Sequence, residues 1–228
     1  MRDPTVCPLQ GVSARRTQPA AAHPGTREPP VAGEAGPARE GDPGVVSTQA
    51  IEFPGYVAGT WDIDPVHSHI GFVARHMMLS KVRGRFDKFE GQIVTADDPF
   101  RSSVAVTVDM SSVNTGHEVR DNDLRSDNFF DSANYPIMTY RSTGIRRAGE
   151  DLFIDGELTV RGATRPVSLR LEVNGFAPDP GGATRAAFSA VGVINRIDFG
   201  VCTSPPILGL ASEKVQLDIE AGAVLRRQ

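Results

Sequence analysis

From Gly59 onward apolar and polar residues alternate along the chain with a period of two. In "EKVQLDIEA", Val215, Leu217 and Ile219 alternate with Lys214, Gln216, Asp218 and Glu220. Successive side chains of an extended chain point to opposite faces, so this pattern predicts a strand with one oily and one charged face. "SSVAVTVDM" places Val104, Val106, Val108 and Met110 on one face, and "PVSLRLEVNG" does the same with Val167, Leu169, Leu171 and Val173. "GTWDID" with "SHIGFVAR", "KVRGRFDKFEGQIVTA", "IMTYRSTGIRR", "DLFIDGELTVRG" and "TRAAFSAVGVINR" are less regular but complete a set of about eight strands. Turn chemistry separates them at "ADDP", "RAGED", "RGATRP" and "APDPGG".

Short links and almost no helical periodicity predict that consecutive strands pair antiparallel, as a sandwich or a closed up-and-down barrel. Strand length favours the barrel. Residues 81–96 form a stretch longer than the roughly 5 to 6 residues usual for a strand, and Gly84, Gly91, Gly156 and Gly192 allow the bends that closure needs. A barrel of this size either fills its own interior or holds one small ligand, and periodicity leaves both open.

Residues 1–50 read differently. They contain no aromatic residue and nearly half of the 17 prolines, with acids and bases in balance. Such a segment cannot bury enough apolar surface to offset the entropy of ordering, so it is expected to be a disordered Pro/Gly/Ala/Arg-rich tail, with the barrel domain over 51–228. Its longest apolar stretches are as short as Ala20–Ala22, which is no secretory core, and the valines of "GVVSTQ" admit a later start. The net charge of −4 then falls on the domain, and a mildly acidic domain without a basic stripe argues against nucleic acid as partner. No apolar stretch approaches the roughly 20 residues of a membrane-spanning helix. Cys7 and Cys202 make no disulfide framework, so the expected location is the cytoplasm.

The run "SVNTGHEVRDNDLRSDNFFD" from Ser112 interrupts the strands. Thr115 and Glu118 have the spacing of a capping box, predicting a short helix from near Gly116, with Asp121 and Arg125 as an i,i+4 pair on its surface. Arg120 and Asp121 are expected to meet Arg196 and Asp198 of "NRIDFG" across the rim and fasten the helix to the barrel. Phe129 and Phe130 follow the helix. In an extended segment one ring would enter the barrel mouth and the other lie beneath the helix, making a cap.

Together "IDPVHSHIGFVARHMMLSKVRGRF", "SVNTGHEVRDNDLRSDNFFD", "YPIMTYRST", "GELTVRGATRPVSL" and "NRIDFG" resemble the YceI-like family, over Gly59 to about Ala223. The resemblance implies an all-β fold, an extended lipocalin-like antiparallel eight-stranded barrel with a short helical cap. Its apolar interior would bind a polyisoprenoid or similar long-chain amphiphile. Several members of that family are exported to the periplasm, a role that the absence of a recognisable signal does not carry over. Alternation and resemblance together nominate Phe72, Phe86, Val106, Val108, Met110, Met138, Tyr140, Ile154 and Leu158 as lining residues, Phe129 and Phe130 as the cap, and His76 for the head group. Either face of 186–195 could point inward.

Chemistry beyond binding finds less support. His67, His69 and His76 could in principle hold a metal, but no acid or further histidine completes a recognised spacing. No serine lies in a nucleophile elbow, and Cys202 has no evident catalytic partner in the sequence. The expectation is therefore a lipid-binding barrel without cofactor or catalytic activity, acting as carrier, store or sequestering protein, with a homodimer left open. The alternatives are a metal-dependent enzyme built on those histidines and a filled barrel acting as an interaction module.

Overall fold

The computed structural model describes residues 53–77, 79–204, 208, 209 and 211–227, so the tail expected over 1–50 lies outside the described residues. Among the described residues eleven strands form one sheet, and several of them are pieces of longer strands. β1 (Gly59–Ile63) and β2 (His69–His76) both run along β11 (Lys214–Leu225), with Trp61 opposite Leu225 and Phe72 opposite Leu217. A 3-10 turn at Pro65–His67 breaks them apart. Asp64 caps that turn by accepting the Val66 amide at 3.0 Å. It also binds Arg185 at 2.9 Å and His67 at 2.7 Å.

β3 (Ser80–Phe86) and β4 (Phe89–Thr95) likewise continue one another, as do β5 (Ser103–Asp109) and β6 (Val113–Asn114). β7 (Ile137–Ala148), β8 (Asp151–Val160), β9 (Ala163–Pro178) and β10 (Thr184–Asn195) are unbroken. Joined this way, eight long strands pair antiparallel in sequence order, and β11 closes on β1 and β2. The architecture is a closed, lipocalin-like barrel, which leaves no long unpaired edge.

Inward residues follow the alternation read from the sequence. On β5 they are Val104, Val106 and Val108, on β9 Val167, Leu169, Leu171 and Val173, and on β11 Val215, Leu217 and Ile219. The four strand glycines read as bends also make room for side chains: Phe72 lies over Gly84, Ile63 over Gly91, Tyr140 over Gly156 and Leu169 over Gly192. At the end where β1 begins, fully buried Trp61 packs with Phe176, Phe188 and Leu225. Its indole N–H donates to Thr95 Oγ1 at 2.7 Å, which satisfies the one polar atom of the ring. No helix among the described residues is long and apolar enough to cross a membrane.

The helix α1 (Glu118–Arg125) forms near the expected place but is held differently. Its cap is His117, whose Nδ1 accepts the Arg120 amide at 3.4 Å, so the Thr115 and Glu118 capping box does not form. Thr115 is instead committed to Asp121, which is buried and accepts both the amide and the hydroxyl of Thr115. That burial removes Asp121 from Arg125. Arg125 donates to the carbonyls of Ser111 at 2.6 Å and Val113 at 2.8 Å, and these bonds fasten the helix to β6. The charges expected to meet across the rim do not meet: Arg120 binds Thr115, and Arg196 is buried among carbonyl groups of 201–212.

Candidate functional site: an apolar cavity through the barrel

The inward faces leave a cavity of about 280 Å³ that extends from the Trp61 end toward the helix. Its wall is built from β-branched, leucyl and aromatic side chains of every long strand. The hydroxyl groups of Ser68, Thr95, Ser102 and Tyr140 reach the wall but are spent within the protein. Ser68 donates to the carbonyls of Asp64 at 2.7 Å and Gly222 at 3.1 Å, and Thr95 donates to Val57 at 2.7 Å. Ser102 accepts the Ala96 amide at 3.1 Å and shares a hydrogen bond with Tyr56. Tyr140 donates to the Ile154 carbonyl at 3.2 Å. Its phenol is pushed up to about 12, first by burial and then by the negative charge of Asp155. A neutral, internally bonded phenol leaves the wall apolar in effect.

The cap end is closed by Leu124, Phe129, Phe130, Phe199 and Val201. Aromatic rings run from wall to cap, with Phe72 and Phe86 centred 5.8 Å apart and Phe86 and Phe130 5.9 Å apart. Arg161 ties the two cap segments together by donating to the carbonyls of Phe129 at 2.9 Å and Gly200 at 2.8 Å. Arg196 lies at this end of the wall. All five of its N–H groups are used, on the carbonyls of Ser212, Val201, Cys202, Leu208 and Ala211. The guanidinium therefore holds a loop and has no donor left for a ligand.

Of the residues nominated from the sequence, Phe72, Phe86, Val106, Val108, Met138, Tyr140, Ile154, Leu158, Phe129 and Phe130 all border the cavity. Both phenylalanines of the cap face it, because 127–130 is a turn and not extended chain, so neighbours need not point to opposite sides. Met110 does not border it. Asp109 caps a 3-10 turn over Met110–Ser112, the alternation ends there, and the Met110 side chain is buried in the adjoining core. His76 is exposed at the end of β2 and does not border the cavity. Phe188, Ala190 and Ile194 show that the even positions of β10 point inward, the face that alternation left open.

The histidines do not converge. His69 and His76 stand at opposite ends of β2, roughly 23 Å apart at the usual strand rise, and His67 is bound to Asp64. Among the described residues no group of three or more histidine, cysteine or acidic side chains could hold a metal ion. Cys202 is buried, and burial raises its thiol above the ordinary range while the Arg196 charge opposes the rise.

A closed antiparallel barrel with an apolar, internally satisfied cavity and an aromatic cap defines a lipocalin-like binding fold. The chain belongs to the YceI-like family, whose domain matches residues 61–223. It is 37% identical over 174 residues to Protein YceI of Escherichia coli O17:K52:H18, covering 75% of this chain and 90% of that one. BcnA of Burkholderia cenocepacia superposes with a TM-score of 0.64 at 23% identity, covering 70% of this chain and 98% of BcnA. A polyisoprenoid-binding domain from Saccharophagus degradans superposes with a TM-score of 0.59 at 21% identity, covering 75% and 100%. At these identities both structural likenesses concern the fold.

Proposed function

We propose that the barrel binds a long-chain isoprenoid or similar amphiphilic lipid and acts as a carrier, store or sequestering protein without catalysis. The cavity carries this reading. At roughly 24 cal/mol per Å³, as measured for engineered cavities, about 280 Å³ left open by protein atoms forgoes on the order of 7 kcal/mol of packing. That is comparable with the whole stability of a typical domain, about 5 to 15 kcal/mol. A filled interaction barrel would not carry that cost. An apolar chain in the cavity would offset it, with about 0.8 kcal/mol for each methylene buried.

Similarity to the polyisoprenoid-binding domain supports this class of ligand. The nominated lining residues other than Met110, with the Phe129 and Phe130 cap, are its contact surface. In this proposal the barrel over 51–228 is the binding unit and the location is the cytoplasm, a reading supported by two cysteines that make no disulfide framework. Native mass spectrometry of the purified full chain, followed by organic extraction, tests the proposal. A bound species that extracts into solvent as a long apolar chain supports it. Protein at its bare mass that takes up no added polyprenyl analogue overturns it.

A further inference from the structure

The hairpin joining β2 to β3 stands at the same end of the barrel as the cap. Its tip exposes Met77 to 55% and Leu79 to 84%, and Leu208 on the neighbouring loop is 41% exposed. Met77 has φ of +48°, a left-handed position that glycine or asparagine ordinarily takes at a turn. A long apolar residue is thus held outward where a small polar one would fit with less strain.

Behind the tip the exposed side chains are basic. Arg75 lies directly opposite Lys81, and Val73 opposite Arg83. Like charges facing each other across a strand pair are destabilising. The ion pairs among the described residues include none of these three side chains, whereas Arg85, next in line, is matched by Asp87 at 2.6 Å. No acidic residue occurs between Asp64 and Asp87, in a protein of net charge −4. On the adjoining segment, whose Ser212 amide donates to the Arg75 carbonyl at 2.8 Å, exposed Glu213 is followed by exposed Lys214.

We propose that this hairpin docks the protein on an anionic lipid bilayer. Met77 and Leu79 enter the boundary between headgroups and acyl chains, while Arg75, Lys81 and Arg83 lie against the headgroup charge. An apolar tip backed by bases matches that layered chemistry in depth and in sign. The anionic surface relieves the repulsion between Arg75 and Lys81. A second copy would bring two basic hairpins together and add to it. Docking goes beyond the binding of lipid inside the barrel, yet it places the cavity wall at the bilayer: His76 bridges to Ala211, and Ala74 and Ala211 both border the cavity.

The test is co-sedimentation of the full chain with phosphatidylcholine vesicles and with vesicles carrying about one-third phosphatidylglycerol. Binding is expected to the anionic vesicles and to be weakened by salt. Leu79→Asp should lower the partition coefficient at least about tenfold, and each of Arg75→Gln, Lys81→Gln and Arg83→Gln about fivefold. Thermal unfolding and extractable lipid, measured on every variant, should match wild type. Docking is overturned if wild type ignores anionic vesicles, or if all four variants partition as wild type does. It is also overturned if Leu79→Asp splits a dimer in sedimentation velocity while wild type leaves vesicles alone. Loss of docking with lipid still held in the barrel would defeat this proposal alone, and docking by a barrel that holds no lipid would support it while defeating the carrier function.

Discussion

The Tyr140 ring lies across Gly156 on the neighbouring strand, so that a Cβ added at Gly156 would stand 2.5 Å from Tyr140 Cζ and 2.6 Å from its hydroxyl oxygen. The Arg141 carbonyl, 2.6 Å from the same point, closes the other direction of retreat. Gly156→Ala should therefore lift the phenol off the wall and break its bond to Ile154. The expected cost is about 1 to 3 kcal/mol in urea unfolding, together with a lower capacity for a polyprenyl analogue. Adding Tyr140→Ala should restore capacity. Capacity unchanged in Gly156→Ala would mean that the ring does not border the ligand.

Tyr140 also predicts an alkaline limit. An unfolded tyrosine loses its proton near 10, whereas folded Tyr140 holds it to about 12. Below pH 10 both states are protonated and this group leaves stability unchanged. As pH rises from 10 to 12 the unfolded chain ionises first, so stability falls. Absorbance titration should show Tyr140 ionising late, a step that Tyr140→Phe removes. In Tyr140→Phe the fall in urea midpoint over that interval should be smaller than in wild type, and an equal fall would rule out Tyr140 as its source.

Arg196→Ala should destabilise the barrel strongly. Arg196 is 5% exposed and its guanidinium binds five carbonyl oxygens; the variant leaves those of Val201 and Cys202 buried without this donor, while those of Ser212, Leu208 and Ala211 are only part-buried. An unsatisfied buried group costs about 1 to 3 kcal/mol, so with two buried carbonyls a loss of at least about 2 kcal/mol is expected in urea unfolding. Arg196→Lys should recover only part of it, since an ammonium has three donors and no planar fork. Unchanged stability would show that the loop holds itself.

Alternation made the walls legible because the barrel is lined by the inward half of each strand, and that half is apolar along β5, β11 and the Val167 to Val173 stretch of β9. It failed where the chain leaves extended geometry. Met110 continues the run of Val104, Val106 and Val108, yet Asp109 turns the backbone one residue earlier. The signal was present, since an aspartate that accepts the amide two residues on starts such turns at both Asp64 and Asp109. Helix α1 misled for a related reason. Thr115 was more use to buried Asp121 than to the helix end, and the resulting cap on His117 depends on a contact that spacing cannot specify. Arg196 looked like half of an ion pair because carbonyl partners contributed by the backbone of the loop that follows it carry no sequence mark. On β10 a central glycine and alanines on both faces hide the inward side, which only pairing with β9 and β11 reveals.

Leu158→Trp divides a ligand cavity from a packed core. Leu158 is 6% exposed, stands opposite Tyr140 and borders the cavity. In a packed core the larger ring would cost roughly 1 to 3 kcal/mol. Where open volume lies beside it, the delipidated variant should unfold close to the wild-type urea midpoint and lose its capacity for a fluorescent polyprenyl analogue. Phe129→Ala and Phe130→Ala probe the other end. Both rings border the cavity, so both variants should speed release of the analogue, and most of the loss in affinity should appear in the off-rate. Phe130 is half-buried against Phe86, so Phe130→Ala should also lower stability, by less than the roughly 3 to 5 kcal/mol of a fully buried ring. Unchanged binding by Leu158→Trp together with unchanged release from both phenylalanine variants would mean that the interior is not the binding site and that the rings serve only as packing.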